Sequence, residues 1–175
     1  MTEKVSELYQ KALKQLEHWD LEEAEVSFRQ VLELEPDHAA ALNKLGVIYA
    51  RREQYSEAEY YFNQALQIDS EFASAYSNLG NIYQERGWTD RAVTAYERAL
   101  AIDPENPTAI HNLGVLYRKK GQIGRGIELM KKAARMEKGK MRSEVRSSPE
   151  VRRTMIIGWA IVIGLFIIGL FIFRR

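Results

Sequence analysis

The chain has 175 residues and a formal net charge of +1. That balance hides a split: residues 1–105 hold 10 Lys/Arg against 20 Asp/Glu, and residues 106–175 hold 15 against 4. There is no cysteine, which excludes disulfides, thiolate metal sites and thiol nucleophiles, and the opening MTEKVSELYQ is too charged to read as a secretory signal.

Along the chain a short pattern returns at a fixed step. Leu45, Gly46 and Tyr49 recur as Leu79, Gly80 and Tyr83, and again as Leu113, Gly114 and Tyr117, 34 residues apart each time. A period of that length marks stacked supersecondary units. With the glycine as eighth residue the units run 5–38, 39–72, 73–106 and 107–140. The second half of each carries a small residue (Ala24, Ala58, Ala92, Gly126), then a large one four places on (Phe28, Phe62, Tyr96, Met130). A further small or apolar position follows at Val31, Ala65, Ala99 and Ala133. Apolar spacing of i, i+3, i+4, i+7 predicts helices with one buried face. Turn residues such as Arg86-Gly87-Trp88 and Lys120-Gly121-Gln122 split each unit into a hairpin of two. Glycine or alanine lets two helices approach, the aromatic fills the remaining groove, and stacking buries what one hairpin cannot.

These residues resemble the tetratricopeptide repeat family over about residues 5–140, with Pro36 and Pro104 where that family ends its second helix. The resemblance implies an all-α solenoid. Unit one departs from it, with Lys11, Ala12 and Gln15 where Leu, Gly and Tyr belong, as expected of a capping repeat with a more solvated first helix. Its second helix is marked by Asp20 and Glu23 at capping-box spacing. In unit four Gly124 and Gly126 each cost a helix interior roughly 1 kcal/mol relative to alanine, so a looser helix is expected there.

Residues 137–148 lack a strong apolar period and read as a basic polar connector, 141–148 forming the linker proper, with continuation of the preceding helix through part of it as the alternative. Ser148-Pro149-Glu150 then has the form of a helix start. From Thr154 to Phe173 no residue is charged. Twenty helical residues span roughly 30 Å, about one bilayer core, so 149–175 reads as a tail anchor with a transmembrane helix over 154–173. Arg142, Arg146, Arg152 and Arg153 precede the span, and Arg174 and Arg175 follow it, placed to reach both interfaces. Between Arg118 and Arg153 there are 13 Lys/Arg against four acids, which puts the N-terminal side in the cytoplasm. The same cations would attract anionic lipid. A bacterial plasma membrane is the expected location, with the mitochondrial outer membrane as the alternative.

Catalytic chemistry finds no footing. His18, His38 and His111 are scattered, and the glycines of GQIGRG at 121–126 lack a preceding strand and a Gly-Lys-Ser/Thr ending. No cofactor, metal or nucleic acid is expected. The resemblance implies instead a groove lined by the first helix of each unit. The positions facing it would be Asn43, Lys44, Val47 and Arg51 in unit two, Ser77, Asn78, Asn81 and Gln84 in unit three, and His111, Asn112, Val115 and Arg118 in unit four. Asn78 and Asn112 share one repeat position, and an amide offers both donor and acceptor to the backbone of an extended peptide. Members that clamp a partner's C-terminal carboxylate need cations that neither register supplies: Tyr9, Leu13, Lys44, Ser74 and Asn78 in one, Asn43, Val47, Asn78, Thr108 and Asn112 in the other. The expected function is a membrane-tethered adaptor that holds a protein or peptide in this groove. An accessory subunit packing through its span and a self-assembling, homo-oligomeric scaffold are the alternatives.

Overall fold

The computed structural model describes residues 2–148 and Arg153, apart from the side chains of residues 144–147. Eight helices follow one another among the described residues: α1 Glu3–Glu17, α2 Leu21–Leu34, α3 Ala39–Arg51, α4 Tyr55–Ile68, α5 Ala73–Glu85, α6 Thr89–Ile102, α7 Pro107–Lys119 and α8 Ile123–Ser147. Residues 1–130 and 131–175 are two compact units. In the first, α1 to α7 each pack on their chain neighbours, and α3 also meets α5, and α5 meets α7. This is the stacking of hairpins that the 34-residue period requires.

The hairpin crossings explain the small and large positions. A Cβ built at Gly46 would stand 2.5 Å from the Phe62 ring, and one at Gly80 2.5 Å from the Tyr96 ring. In α1 the equivalent residue, Ala12, is fully buried with Phe28 in the same core cluster. Unit one is therefore solvated on one side only: Val5, Ala12 and Leu16 are buried, while Glu7, Lys11 and Lys14 are exposed.

The turn inside each hairpin places one residue in the left-handed region, again at the 34-residue step: Trp19 (φ 65°), Glu53 (60°), Gly87 (75°) and Gly121 (77°). Asp20 does stand at the N-cap of α2, but its side chain makes no capping hydrogen bond, so the capping box predicted with Glu23 does not form. The backbone N–H of Asp20 instead returns to the Gln15 carbonyl, which closes the turn from the α1 side.

Successive units are tied by a recurring polar clasp. Glu25 of α2 accepts from Arg52 and from the Tyr49 hydroxyl of the next unit. Burial opposes its ionisation, but hydrogen bonds from Arg52, Tyr49 and Arg29 outweigh it and hold the carboxyl below its ordinary range. Glu59 repeats the arrangement with Arg86 at 2.7 Å and Tyr83 at 3.0 Å. At the third joint Val93 takes the acid's place, and Tyr117 turns to Glu97 while Lys120 pairs with Asp90.

α8 continues to Ser147, so residues 141–147 of the basic connector are helical. Met141, Arg142, Glu144 and Arg146 are good helix formers, and no proline intervenes before Pro149, so intrinsic propensity sustains the helix. Gly126 has a packing reason: a Cβ would lie 2.8 Å from the Gly114 carbonyl oxygen, too near for the alanine of the other units. Among the described residues no helix is long and apolar enough to cross a membrane. The expected span 154–173, the start proposed at Pro149-Glu150, Arg152, Arg174, Arg175 and the Arg146 side chain lie outside the described residues. Arg142 and Arg153 are exposed.

Candidate functional site

The first helices of units one to three and the start of α7 enclose a cavity of about 330 Å³. Tyr9 comes from α1, Asn43, Lys44 and Val47 from α3, and Ser77 and Asn78 from α5. Ser74, Asn106 and Thr108 complete the polar part of the wall. Lys44 is the one charged side chain among the lining residues; everything else offered to a ligand is amide, hydroxyl, ring or aliphatic surface. Such a wall suits a chain of peptide amides with one anionic group near the ammonium.

The asparagines do not stand as independent rungs. Asn78 donates from Nδ2 to the Oδ1 of buried Asn43 at 3.0 Å. Asn112 occupies the same repeat position but donates to Asn81 Oδ1 at 2.9 Å and to the Tyr96 hydroxyl at 3.1 Å. Tyr96 in turn donates to Asn81 Oδ1 at 2.6 Å. Asn43, Lys44 and Asn78 thus share the cavity, whereas Asn81 and Asn112 form a second polar group with Tyr96. Burial pushes the Tyr96 phenol up to about 12, and the Asn112 hydrogen bond works against it. Asn78 keeps one N–H and its carbonyl oxygen for a ligand, and Asn112 keeps its carbonyl.

The remaining predicted positions divide. His111 and Arg118 are exposed and line no part of the cavity, and an Arg118 Nη1 points at Met130 Sδ at 3.5 Å. Arg51 donates to the Leu16 carbonyl at 2.8 Å and lies over the Trp19 ring. Gln84 Oε1 is buried with no donor among the described residues. Ser77 and Asn106 form a wall element that the sequence reading missed as a pair. The Ser77 hydroxyl donates to Asn106 Oδ1 at 3.0 Å, and the same oxygen caps α7 by accepting from the Ala109 N–H. The signal was present: asparagine followed by proline is a helix start. His38 likewise proves a cap, its Nδ1 accepting from the Ala41 N–H at 3.1 Å. Its ring lies 4.9 Å from that of Tyr9.

Comparison with known proteins agrees with this architecture. Models of the tetratricopeptide repeat match residues 9–71, 61–94 and 107–139, and a further TPR repeat model matches 80–121. No curated protein sequence matches. Among solved structures, MamA is 25% identical with a TM-score of 0.66, over 79% of this chain and 81% of that one. A Thermobaculum terrenum O-GlcNAc transferase is 27% identical (TM-score 0.62) over 67% of this chain, which spans only 23% of the transferase. The first TPR of Spaghetti (RPAP3), bound to the HSP90 peptide SRMEEVD, shares the fold at 21% identity, with a TM-score of 0.63 over 69% and 96% of the two chains. Through residues 9–139 the chain belongs to the tetratricopeptide repeat family.

Proposed function

We propose that the chain is a membrane-tethered scaffold that holds an extended segment of a protein partner in the cavity between α1, α3, α5 and α7. The observation that carries this reading is the cavity wall, in which Lys44 is the sole charge among amides and hydroxyls. A partner segment with a carboxylate beside Lys44, and backbone amides against Asn78 and Ser74, matches it. A solved TPR structure with a bound HSP90 peptide supports the general mode. The uncharged run 154–173 and the cations around it support a tail anchored in a membrane, with the array on the cytoplasmic side. A bacterial plasma membrane fits this layout.

A photoreactive side chain at Ser74, with one at exposed Tyr60 as control, tests both parts in native membranes. The Ser74 form should capture a defined protein that the Tyr60 form does not. Lys44→Glu should cut that adduct at least tenfold. Cutting the chain after Ser148 should move the adduct to the soluble fraction. Identical adducts from Ser74 and Tyr60 would remove the cavity from the mechanism, and an adduct that stays membrane-bound after truncation would remove the anchor.

A further inference from the structure

One position of the second helix differs at each joint between units. In the first, the Tyr61 ring stacks on that of Tyr49, centroids 5.2 Å apart and 14° from parallel. It is partly buried against the core cluster of α1 to α3. Thirty-four residues later the chain has Ala95, and a further 34 later Leu129. With only a methyl group at Ala95, the groove between α4 and α6 stays open to about 1250 Å³, floored by Tyr76, Leu79 and Tyr83 of α5. The acids on its rim are engaged, Asp90 with Lys120 and Glu97 with Tyr117. Arg91 and Arg98 on the same rim pair with no carboxylate among the described residues. Tyr83 meets Trp88 at one side, 5.9 Å between centroids, with the Arg91 guanidinium 4.8 Å from the Trp88 ring. The open joint therefore has no counterpart of Tyr61 and offers positive charge.

The same chain presents a matching projection. Trp19 is 66% exposed and holds a left-handed backbone, φ 65°. That conformation costs an L-residue roughly 1–2 kcal/mol, and units three and four avoid the cost with Gly87 and Gly121. A strained, solvent-facing tryptophan where two units have glycine and one has Glu53 points to a role outside the fold. The Arg51 guanidinium covers one face of the ring at 4.3 Å. Glu17, Asp20 and Glu23 lie within four residues of it in the chain, all exposed and none paired with a cation among the described residues.

We propose that Trp19 of one copy enters the α4–α6 groove of a second copy, stacking against Tyr83 where a residue like Tyr61 is missing, with its acidic neighbours facing Arg91 and Arg98. The contact joins two different surfaces, so it leaves one projection and one groove free and propagates from copy to copy. It uses a face separate from the peptide cavity and does not depend on that reading.

The repeats themselves supply the variants. Trp19→Gly copies Gly87 and Gly121; Ala95→Tyr copies Tyr61. Sedimentation velocity of the full chain in nonionic detergent, over a concentration series, reads the assembly. The wild type should grow with concentration and shrink at high salt. Each variant alone should associate at least tenfold more weakly. An equimolar mixture of the two should form 1:1 pairs and stop, because one brings the groove and the other the tryptophan. Trp19→Gly should melt no lower than the wild type, which separates lost assembly from lost fold. Since the tail is common to all forms, equal assembly of wild type and variants would overturn the proposal. So would a wild type of one copy at every concentration, or a mixture that fails to pair.

Discussion

Units three and four place glycine at the same position of the first helix, and only at Gly80 is an added methyl group blocked. At Gly80 an added methyl would meet the Tyr96 ring at 2.5 Å, with further ring atoms at 2.7 and 2.8 Å. At Gly114 it would meet Met130 Cγ at 3.3 Å and backbone and side-chain atoms at 3.4 Å. The glycine is thus not the constraint by itself. What matters is the residue that lies over it: a flat ring fixed by a hydrogen bond to Asn81 at 2.6 Å cannot move aside, whereas a flexible thioether chain can. The same substitution should therefore have different costs in two units that look alike in sequence.

The largest expected effect breaks that comparison directly. Gly80→Ala forces a methyl group into a filled crossing at a cost of ~1–3 kcal/mol, and Gly80→Leu more. Gly114→Ala should be close to neutral, since Met130 can give by a few tenths of an ångström and alanine favours a helix by roughly 0.5–1 kcal/mol over glycine. Thermal unfolding of the two alanine variants decides the matter; equal losses would mean that backbone approach, not the overlying side chain, sets the tolerance.

A smaller effect sharpens what the ring itself contributes. Burial raises the Tyr96 phenol to about 12, while an unfolded chain releases the same proton near 10. The folded state thus holds the proton more tightly, and the resulting stability is whole below about pH 10 and lost as pH climbs toward 12. Tyr96→Phe, matching Phe28 and Phe62, should cost about 1 kcal/mol at neutral pH through the Asn81 hydrogen bond. It should also flatten the fall of the melting point between pH 10 and 12. Tyr49, Tyr83 and Tyr117, which burial also raises, leave a residual slope. An unchanged alkaline limb would show that Tyr96 titrates as in water.

How much of this was legible depended on whether a feature lives within one unit or between two. Helices beginning at Ala39, Ala73 and Pro107 follow from a period that needs only local apolar spacing. The fate of Asn78 and Asn112 did not follow, because each amide takes its partner from a different position of the preceding unit, Asn43 in one case and Asn81 in the other. Position within the repeat names the residue but not its neighbour. The cavity could be placed on the first helices, yet its polar wall rests on Ser77 bonding across 29 residues to the cap of α7. The failed capping box has the same origin: Asp20 and Glu23 have the right spacing, but the backbone at Trp19 decides how the chain enters α2.

That backbone position supports the smallest and cleanest test, since one turn conformation is occupied by glycine in two units and by larger residues in the other two. A Cβ at Gly87 would meet nothing within 4 Å, so any loss in Gly87→Ala reads conformational strain and not crowding. Left-handed backbone costs an L-residue about 1–2 kcal/mol, and the lower entropy of an unfolded chain without that glycine returns roughly 0.5–1 kcal/mol of it. Gly87→Ala should therefore lower stability by up to ~1 kcal/mol. Glu53 holds φ 60° and joins no ion pair among the described residues, so Glu53→Gly removes strain without breaking a clasp. It should raise stability by a similar fraction of a kcal/mol. Chemical denaturation of both variants gives opposite shifts of midpoint if the turn is equivalent in units two and three. Shifts of the same sign would mean that the two turns, though 34 residues apart and alike in φ, are strained by different surroundings.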